Sequence, residues 1–285
     1  MSKSFTIAVF SAFLLVSFSL SAQVDKEALR VCADPFNLPY SNKDSEGFEN
    51  KIAELFAADL GLPVKYEWFP QRMGFIRNTL KAEGDDGKYK CDLVIGVPDR
   101  FELAATTKPY YASTYAFVYS KGRGLDSVKT AADIKKLSDE QKQAIRVGAF
   151  DRGPGQLWLF KNGLFSQMRP YMAQSGDVRT NPIDIMDDIV ANKIDATVIW
   201  GPIAGYYAKK HSGKNLVAVP LPSGKDNPEM KFNYNMAMAV RYGENEWKAR
   251  VNRFIDENNE KILSILEDYG IPLGEITETK GDDDD

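Results

Sequence analysis

The sequence predicts an α/β protein of two lobes with a hinged cleft between them, and three observations carry that prediction. Short apolar runs bounded by turn residues alternate with helical patterns, the spacing that builds parallel sheets. Two breakers, Lys121-Gly122-Arg123-Gly124 and Ser223 to Pro228, enclose about 100 residues. One lobe is then made from both ends of the chain and the other from its middle, with two crossing segments as the hinge.

The elements follow in order. Leu29 to Cys32 reads as a strand and Asp34 to Ser45 as a loop rich in Pro and Asn. Gly47 to Gly61 reads as a helix with Ile52, Leu55, Phe56 and Leu60 on one face, stopped by Gly61 and Pro63. Val64 to Phe69 is an aromatic-rich strand and Phe75 to Glu83 a helix. Cys91 to Val97 is a continuous apolar run, as a buried parallel strand requires. Thr114 to Tyr119 is the next strand.

A second α/β run begins beyond the first breaker. Ala131 to Gln143 is a helix, Arg146 to Phe150 a strand, and Gly155 to Asn162 and Pro182 to Asn192 are helices. Asp195 to Trp200 is a strand, Pro202 to His211 a helix with Pro in its first turn, and Leu216 to Pro220 a strand. After the second breaker come the strand Tyr234 to Val240 and one long helix, Glu246 to Tyr269, ended by Gly270 and Pro272. Gly281 to Asp285 is an acidic, solvated tail. Lobe I thus takes residues 23–119 and 226–285, and lobe II residues 120–225.

Residues 1–22 read as a secretory signal peptide: Lys3 supplies the positive end and Phe5 to Leu20 the apolar run. That run is shorter than the ~20 apolar residues of a membrane span, and no later segment is long enough. The protein is therefore expected in the periplasm, without a membrane span once the signal is removed. Formal charge is −4, and −5 once Lys3 is lost (−4 minus 1). Mild acidity argues against a nucleic-acid partner, which needs a basic footprint. An even pair of cysteines, Cys32 and Cys91, in an oxidising compartment favours a disulfide over two buried thiols.

Several motifs resemble the bacterial solute-binding proteins that hold amino acids in a hinged cleft. Gly47-Phe48-Glu49 matches the start of that family's signature helix, and Asp92-Leu-Val-Ile-Gly96, Arg100 and Lys108-Pro109-Tyr110-Tyr111 match a later stretch. In the family an arginine nine residues before the Pro-Tyr grips a ligand carboxylate, and Arg100 occupies that place. A guanidinium presents the planar fork that a carboxylate fits, an ordinary ion pair being the alternative. Two features depart from the family. Trp200-Gly201-Pro202 stands where an aspartate usually pairs with the ligand ammonium, and Asp151-Arg152-Gly153-Pro154-Gly155 replaces the anion loop. An ammonium buried without a counter-charge costs several kcal/mol, so an amino acid is not the expected ligand.

A narrower resemblance covers nearly the whole mature chain. It rests on Leu29-Arg-Val-Cys32-Ala-Asp34-Pro-Phe-Asn-Leu-Pro39, Pro70-Gln71-Arg72, Arg77-Asn78-Thr79-Leu80, Cys91 to Pro98, Lys108 to Tyr115 and Trp200-Gly201-Pro202. These runs are similar to the quinoprotein (PQQ methanol) dehydrogenase-associated family of MxaJ/XoxJ type. The resemblance implies a periplasmic-binding-protein-like (type II) fold and pairs Cys32 with Cys91. It also implies a periplasmic accessory that assists maturation or activation of a pyrroloquinoline quinone (PQQ) dependent methanol dehydrogenase, and so a role in methanol oxidation and methylotrophy. The sequence does not separate the calcium-linked from the lanthanide-linked branch, the former being the slight preference.

Catalytic chemistry finds no foothold. The single histidine, His211, sits at a helix end where a cation needs no function beyond the dipole. One histidine excludes a multi-His zinc site and disfavours a His-based triad. Acidic clusters at Asp85-Asp86 and at Asp184, Asp187 and Asp188 read as a polar turn and an exposed helix face, so no metal site is expected. An enzyme on this scaffold, such as a dehydratase, lacks a usable histidine and a located carboxylate pair. The candidates for ligand or partner contact are Asp34, Phe36, Tyr40, Trp68, Gln71, Arg72, Arg100, Tyr110, Asp151, Arg152, Trp158 and Trp200, for Trp68, Trp158 and Trp200 core packing being the alternative. No cofactor is expected to be bound permanently. PQQ, which carries several carboxylates, is a candidate transient ligand of Arg100 and Arg152. A transport receptor for a small organic anion is the competing function.

Overall fold

The computed structural model describes residues 27–172, 183–221, 223 and 230–277. The expected signal peptide, most of the second breaker, Pro182 and the acidic tail lie outside these residues. The elements in chain order are β1 Leu29–Ala33, β2 Phe36–Asn37, β3 Ser41–Asn42, α1 Phe48–Leu60, β4 Val64–Trp68, α2 Phe75–Asn78, β5 Val94–Pro98 and β6 Ala105–Ser120. Then come α3 Asp139–Ala144, β7 Val147–Phe150, α4 Pro154–Lys161, β8 Met168–Tyr171, α5 Asp184–Val190, β9 Ala196–Trp200, α6 Gly201–Lys210 and β10 Leu216–Pro220. The chain closes with β11 Asn233–Val240, α7 Asn245–Glu257 and α8 Asn259–Asp268.

Parallel pairing of β1 with β4 starts lobe I. Cys32 N donates to Leu93 O at 2.8 Å and Asp92 N to Arg30 O at 2.8 Å, which joins β1 to the segment leading into β5. Antiparallel β11 then lies between β5 and β6. Helices α1, α7 and α8 cover this sheet with Phe48, Phe56, Trp247, Phe254 and Leu266, all buried. Cys32 and Cys91 form a disulfide with Cα atoms 5.5 Å apart.

In lobe II, β7 pairs in parallel with both β8 and β9, and β9 and β10 flank the second half of β6. Its two faces bury separate clusters, one around Phe117, Val147 and Trp158 and one around Ile185, Ile199 and Tyr207. Among the described residues no helix is long and apolar enough to cross a membrane.

The crossing between lobes falls inside one long strand. Residues Ala105 to Thr114 of β6 pair with β11, whereas Ala116 to Ser120 pair with β10. Phe117 and Tyr119 accordingly belong to the core of lobe II, a few residues earlier than the glycine-rich breaker had suggested. The chain returns beside this point: Tyr115 N donates to Phe232 O at 3.1 Å, and Ser223 Oγ accepts from Phe232 N and Asn233 N, both at 2.8 Å.

Three helices are shorter than their apolar patterns. The expected Phe75–Glu83 helix stops at Asn78. Ala131–Gln143 divides into a 3-10 turn, Ala131–Lys136, and α3, because Ser138 caps α3: Gln141 N donates to Ser138 Oγ at 3.2 Å. The long C-terminal helix breaks at Asn258, which sits at φ −119° between α7 and α8. Strand β8 carries no apolar alternation and was not predicted.

Candidate functional site

The carboxyl-terminal ends of β1, β4 and β9 and the adjoining loops bring the site together. Asp34 follows β1 and ties two loops to each other. Its Oδ1 accepts from Phe36 N at 2.8 Å and its Oδ2 from Gln71 N at 2.5 Å. Asn37 Nδ2 donates to Gln71 Oε1 at 2.8 Å, completing the weld. Asp34 and Gln71 are thus occupied in shaping the rim. Phe36 is exposed on that rim with Lys43 Nζ above its ring, and Arg72 is exposed with its guanidinium over Phe69, 5.5 Å from the centroid. Trp68, at the end of β4, is half-buried and stacks on Tyr66 at 4.5 Å.

Between the lobes lies an aromatic seam. Tyr40 and Trp200 each pack against the cores of both lobes. The Trp200 ring is 5.2 Å from Tyr115 and 5.7 Å from Tyr234, and Tyr40 is 5.4 Å from Phe48. Burial, then neighbouring Tyr234, pushes the Tyr115 hydroxyl up to about 12, and burial is also the main reason Tyr40 sits well above the usual phenol range. These hydroxyls are therefore fixed as neutral donors and acceptors.

Beneath the seam sits a residue that the candidate set lacked. Glu49, in the first turn of α1, lies over Gly96 of β5, where a Cβ would collide with its Oε1. Enclosure, and secondarily the charge of Asp34, raise the Glu49 carboxyl from 4.5 to about 8. Around neutral pH it is a protonated acid, able to donate a hydrogen bond. The Tyr111 hydroxyl nearby is buried without a partner among the described residues. The glycine inside an otherwise apolar strand was the signal that something approaches closely there.

Five candidates lie apart from the seam. Tyr110 is fully buried in lobe I, its hydroxyl donating to Ile95 O at 3.1 Å. Trp158 is buried in the core of lobe II, 5.5 Å from Phe117, so it is a packing residue rather than a cleft residue. Asp151 and Arg152 follow β7 and pair loosely at 3.5 Å, and the Arg152 side chain is 92% exposed. Arg152 holds a left-handed backbone, φ 58°, uncommon outside glycine. Arg100 is exposed at the turn after β5.

Chemically, this arrangement offers aromatic faces, phenol hydroxyls and one protonated carboxyl, a set suited to holding a flat or apolar group that bears acceptor oxygens. At the end of β9 the chain carries the indole of Trp200 and no carboxylate. Among the described residues no group of three or more metal-ligating side chains comes together.

Residues 29–270 match the family model of bacterial extracellular solute-binding proteins, family 3. Protein MoxJ of Methylorubrum extorquens is 27% identical over 265 residues, 89% of this chain and 84% of that protein. Protein MoxJ of Paracoccus denitrificans is 23% identical over 266 residues, 88% and 91% of the two chains. Among solved structures, the periplasmic binding protein XoxJ from Methylobacterium extorquens AM1 is 30% identical with a TM-score of 0.66, covering 87% of this chain and 100% of that one. MxaJ from Methlophaga aminisulfidivorans MPT is 27% identical with a TM-score of 0.71, covering 86% and 100%. An ancestral cationic amino acid solute-binding protein, 20% identical over 86% of this chain and 96% of that one with a TM-score of 0.63, shares the fold. The match runs from β1 to the turn after α8 and takes in every named strand and helix: the chain belongs to the bacterial extracellular solute-binding proteins of family 3, with MoxJ, MxaJ and XoxJ among its relatives.

Proposed function

We propose that the protein is a periplasmic accessory of a PQQ-dependent methanol dehydrogenase, which it engages by binding and helps to mature or activate without catalysing a reaction. The observation that carries this reading is Trp200. Its indole packs against the cores of both lobes at the end of β9; by the family resemblance this is the place of an amino-acid receptor's carboxylate, which supports a cleft kept without its zwitterion-reading group. The similarity to MoxJ, MxaJ and XoxJ over most of the chain supports the assignment to the dehydrogenase system.

PQQ is included as a transient ligand on charge alone, since its carboxylates suit the guanidiniums of Arg100 and Arg152. Titration of the purified protein with PQQ tests that part, and no binding at high micromolar concentration removes it. The function itself is tested in a strain lacking the gene, by methanol oxidation in periplasmic extract with an artificial electron acceptor and immunodetection of the dehydrogenase subunits. Intact subunits with little activity are expected. Unchanged subunits with full activity would sink the accessory role.

A further inference from the structure

The two loops joined through Asp34 present an unusual piece of surface. From Trp68 to Ala82 the chain carries three cations, Arg72, Arg77 and Lys81, and no carboxylate, in a protein of net charge −4. At the tip of this stretch Met73 is 98% exposed, and Phe36, 45% exposed, stands on the adjoining loop. Arg72 is braced over Phe69, and the Arg77 guanidinium lies beside the backbone of Gly74. Among the described residues neither arginine forms an ion pair. Asp44, beside Lys43, and Glu46 are the exposed acids of the adjoining loop.

The loop is not slack. Gln71 N and Phe36 N share the Asp34 carboxylate, and Asn37 holds the Gln71 side chain, so Met73 projects from a braced base. A preorganised surface loses little conformational freedom on binding. Met, Phe and Arg are the residue types enriched at protein interfaces. A lipid surface is the poorer fit, because recognition of anionic headgroups uses clusters of about 4–8 cations.

We propose that the Pro70–Gly74 loop, with Met73 at its tip and Arg72, Arg77 and Phe36 around it, is a docking surface for a protein that presents an apolar recess rimmed by carboxylates. The inference rests on the accessory reading above, on which the protein carrying that recess is the dehydrogenase.

The test is binding of the full chain to purified methanol dehydrogenase by biolayer interferometry at low and high salt. The variants are Arg72→Glu/Arg77→Glu and, separately, Met73→Ser, all at exposed positions, with Lys135→Glu/Lys214→Glu on lobe II as the charge control. Each variant is first matched to the parent by thermal melting, and Met73→Ser carries the test if the double reversal misfolds. The expected result is a loss of roughly 10- to 100-fold in affinity for the pad variants, salt-sensitive binding by the parent, and no loss for the control. Binding by the pad variants equal to the parent's overturns the docking surface and leaves the accessory role standing. No binding by the parent overturns both. Binding to phosphatidylglycerol vesicles but not to the dehydrogenase overturns the protein partner in favour of a membrane.

Discussion

Arg241 Nη2 lies 3.0 Å from Asp92 Oδ1, although 149 residues separate the two in the chain. Arg30 grips the same carboxylate from the other side, through Nε and Nη2 at 3.0 Å each. Arg241 also donates to Leu80 O at 2.9 Å and to Cys91 O, while Trp247 Nε1 donates to Asp92 O at 3.0 Å. The first and last thirds of the chain are thereby fastened at one buried point. Removing one member of a buried pair leaves the other charge without compensation, at about 3–5 kcal/mol. Asp92→Ala is therefore expected to lower stability to urea by that amount. Loss of under about 1 kcal/mol, the range of an exposed pair, would show the network to be solvated.

The disulfide fastens the same region covalently, closing a loop with a sequence separation of 59. In the loop-entropy model a closure of this size restricts the unfolded chain by about 4 kcal/mol. Cys32→Ala/Cys91→Ala should unfold at distinctly lower denaturant, and reductant should shift the parent protein but not the variant. Equal midpoints for parent and variant would mean that the crosslink is inert.

The two lobes and most strands were legible because burial imposes periodicity on the chain itself. The run Val94 to Val97 could be read as a strand before anything was known of its neighbours. Helix ends were less legible where a side chain competes with the helix. Ser138 and Gln141 form a capping box that the apolar stripe concealed, and Asn258 donates to Phe254 O at 3.3 Å where the stripe runs straight through. The site was the least legible part. Trp200 could be singled out because a large aromatic replaces an expected acid at a strand end. Trp158 has the same composition and reads the same way, yet its position on α4 turns it into the core. Glu49 could not be found from residue type, since a glutamate in the first turn of a helix is ordinary. What makes it unusual is the strand that folds beneath it.

Close packing joins α6 to β6 and to the C-terminal turn. A Cβ on Gly205 of α6 would collide with Gly270 O, and one on Gly201 with Thr114 O. The C-terminal segment is itself pinned to β6, with Ser113 Oγ donating to Pro272 O at 2.6 Å and Gly274 N to Ala112 O at 2.8 Å. Tyr206 and Tyr269 stack across the same junction at 6.1 Å. Overpacking at such a point costs about 1–3 kcal/mol. Gly205→Ala is expected to lower the melting temperature and to raise the radius of gyration in solution scattering as α6 is pushed off the C-terminal turn. A variant with parental values in both would mean that the junction yields without moving the lobes.

Glu49 gives the protein a pH dependence whose sign follows from its raised proton affinity. In the folded chain the carboxyl titrates at about 8, and at its ordinary value of 4.5 once unfolded. Between these limits the folded state holds a proton that the unfolded state has released. Stability from this group is fully present below 4.5 and is lost as pH rises to about 8, by up to ~1.4 kcal/mol per pH unit. The charge of Asp34 works in the same direction, since ionised Glu49 would face it without a counter-ion among the described residues. Glu49→Gln keeps the shape and removes the titration, so it should match the parent protein near pH 4.5 and gain over it steadily toward pH 8, reaching roughly 4 kcal/mol. Urea midpoints measured across that range for both proteins decide it. Parallel curves would mean that Glu49 is ionised in the folded protein and that the seam is open to water.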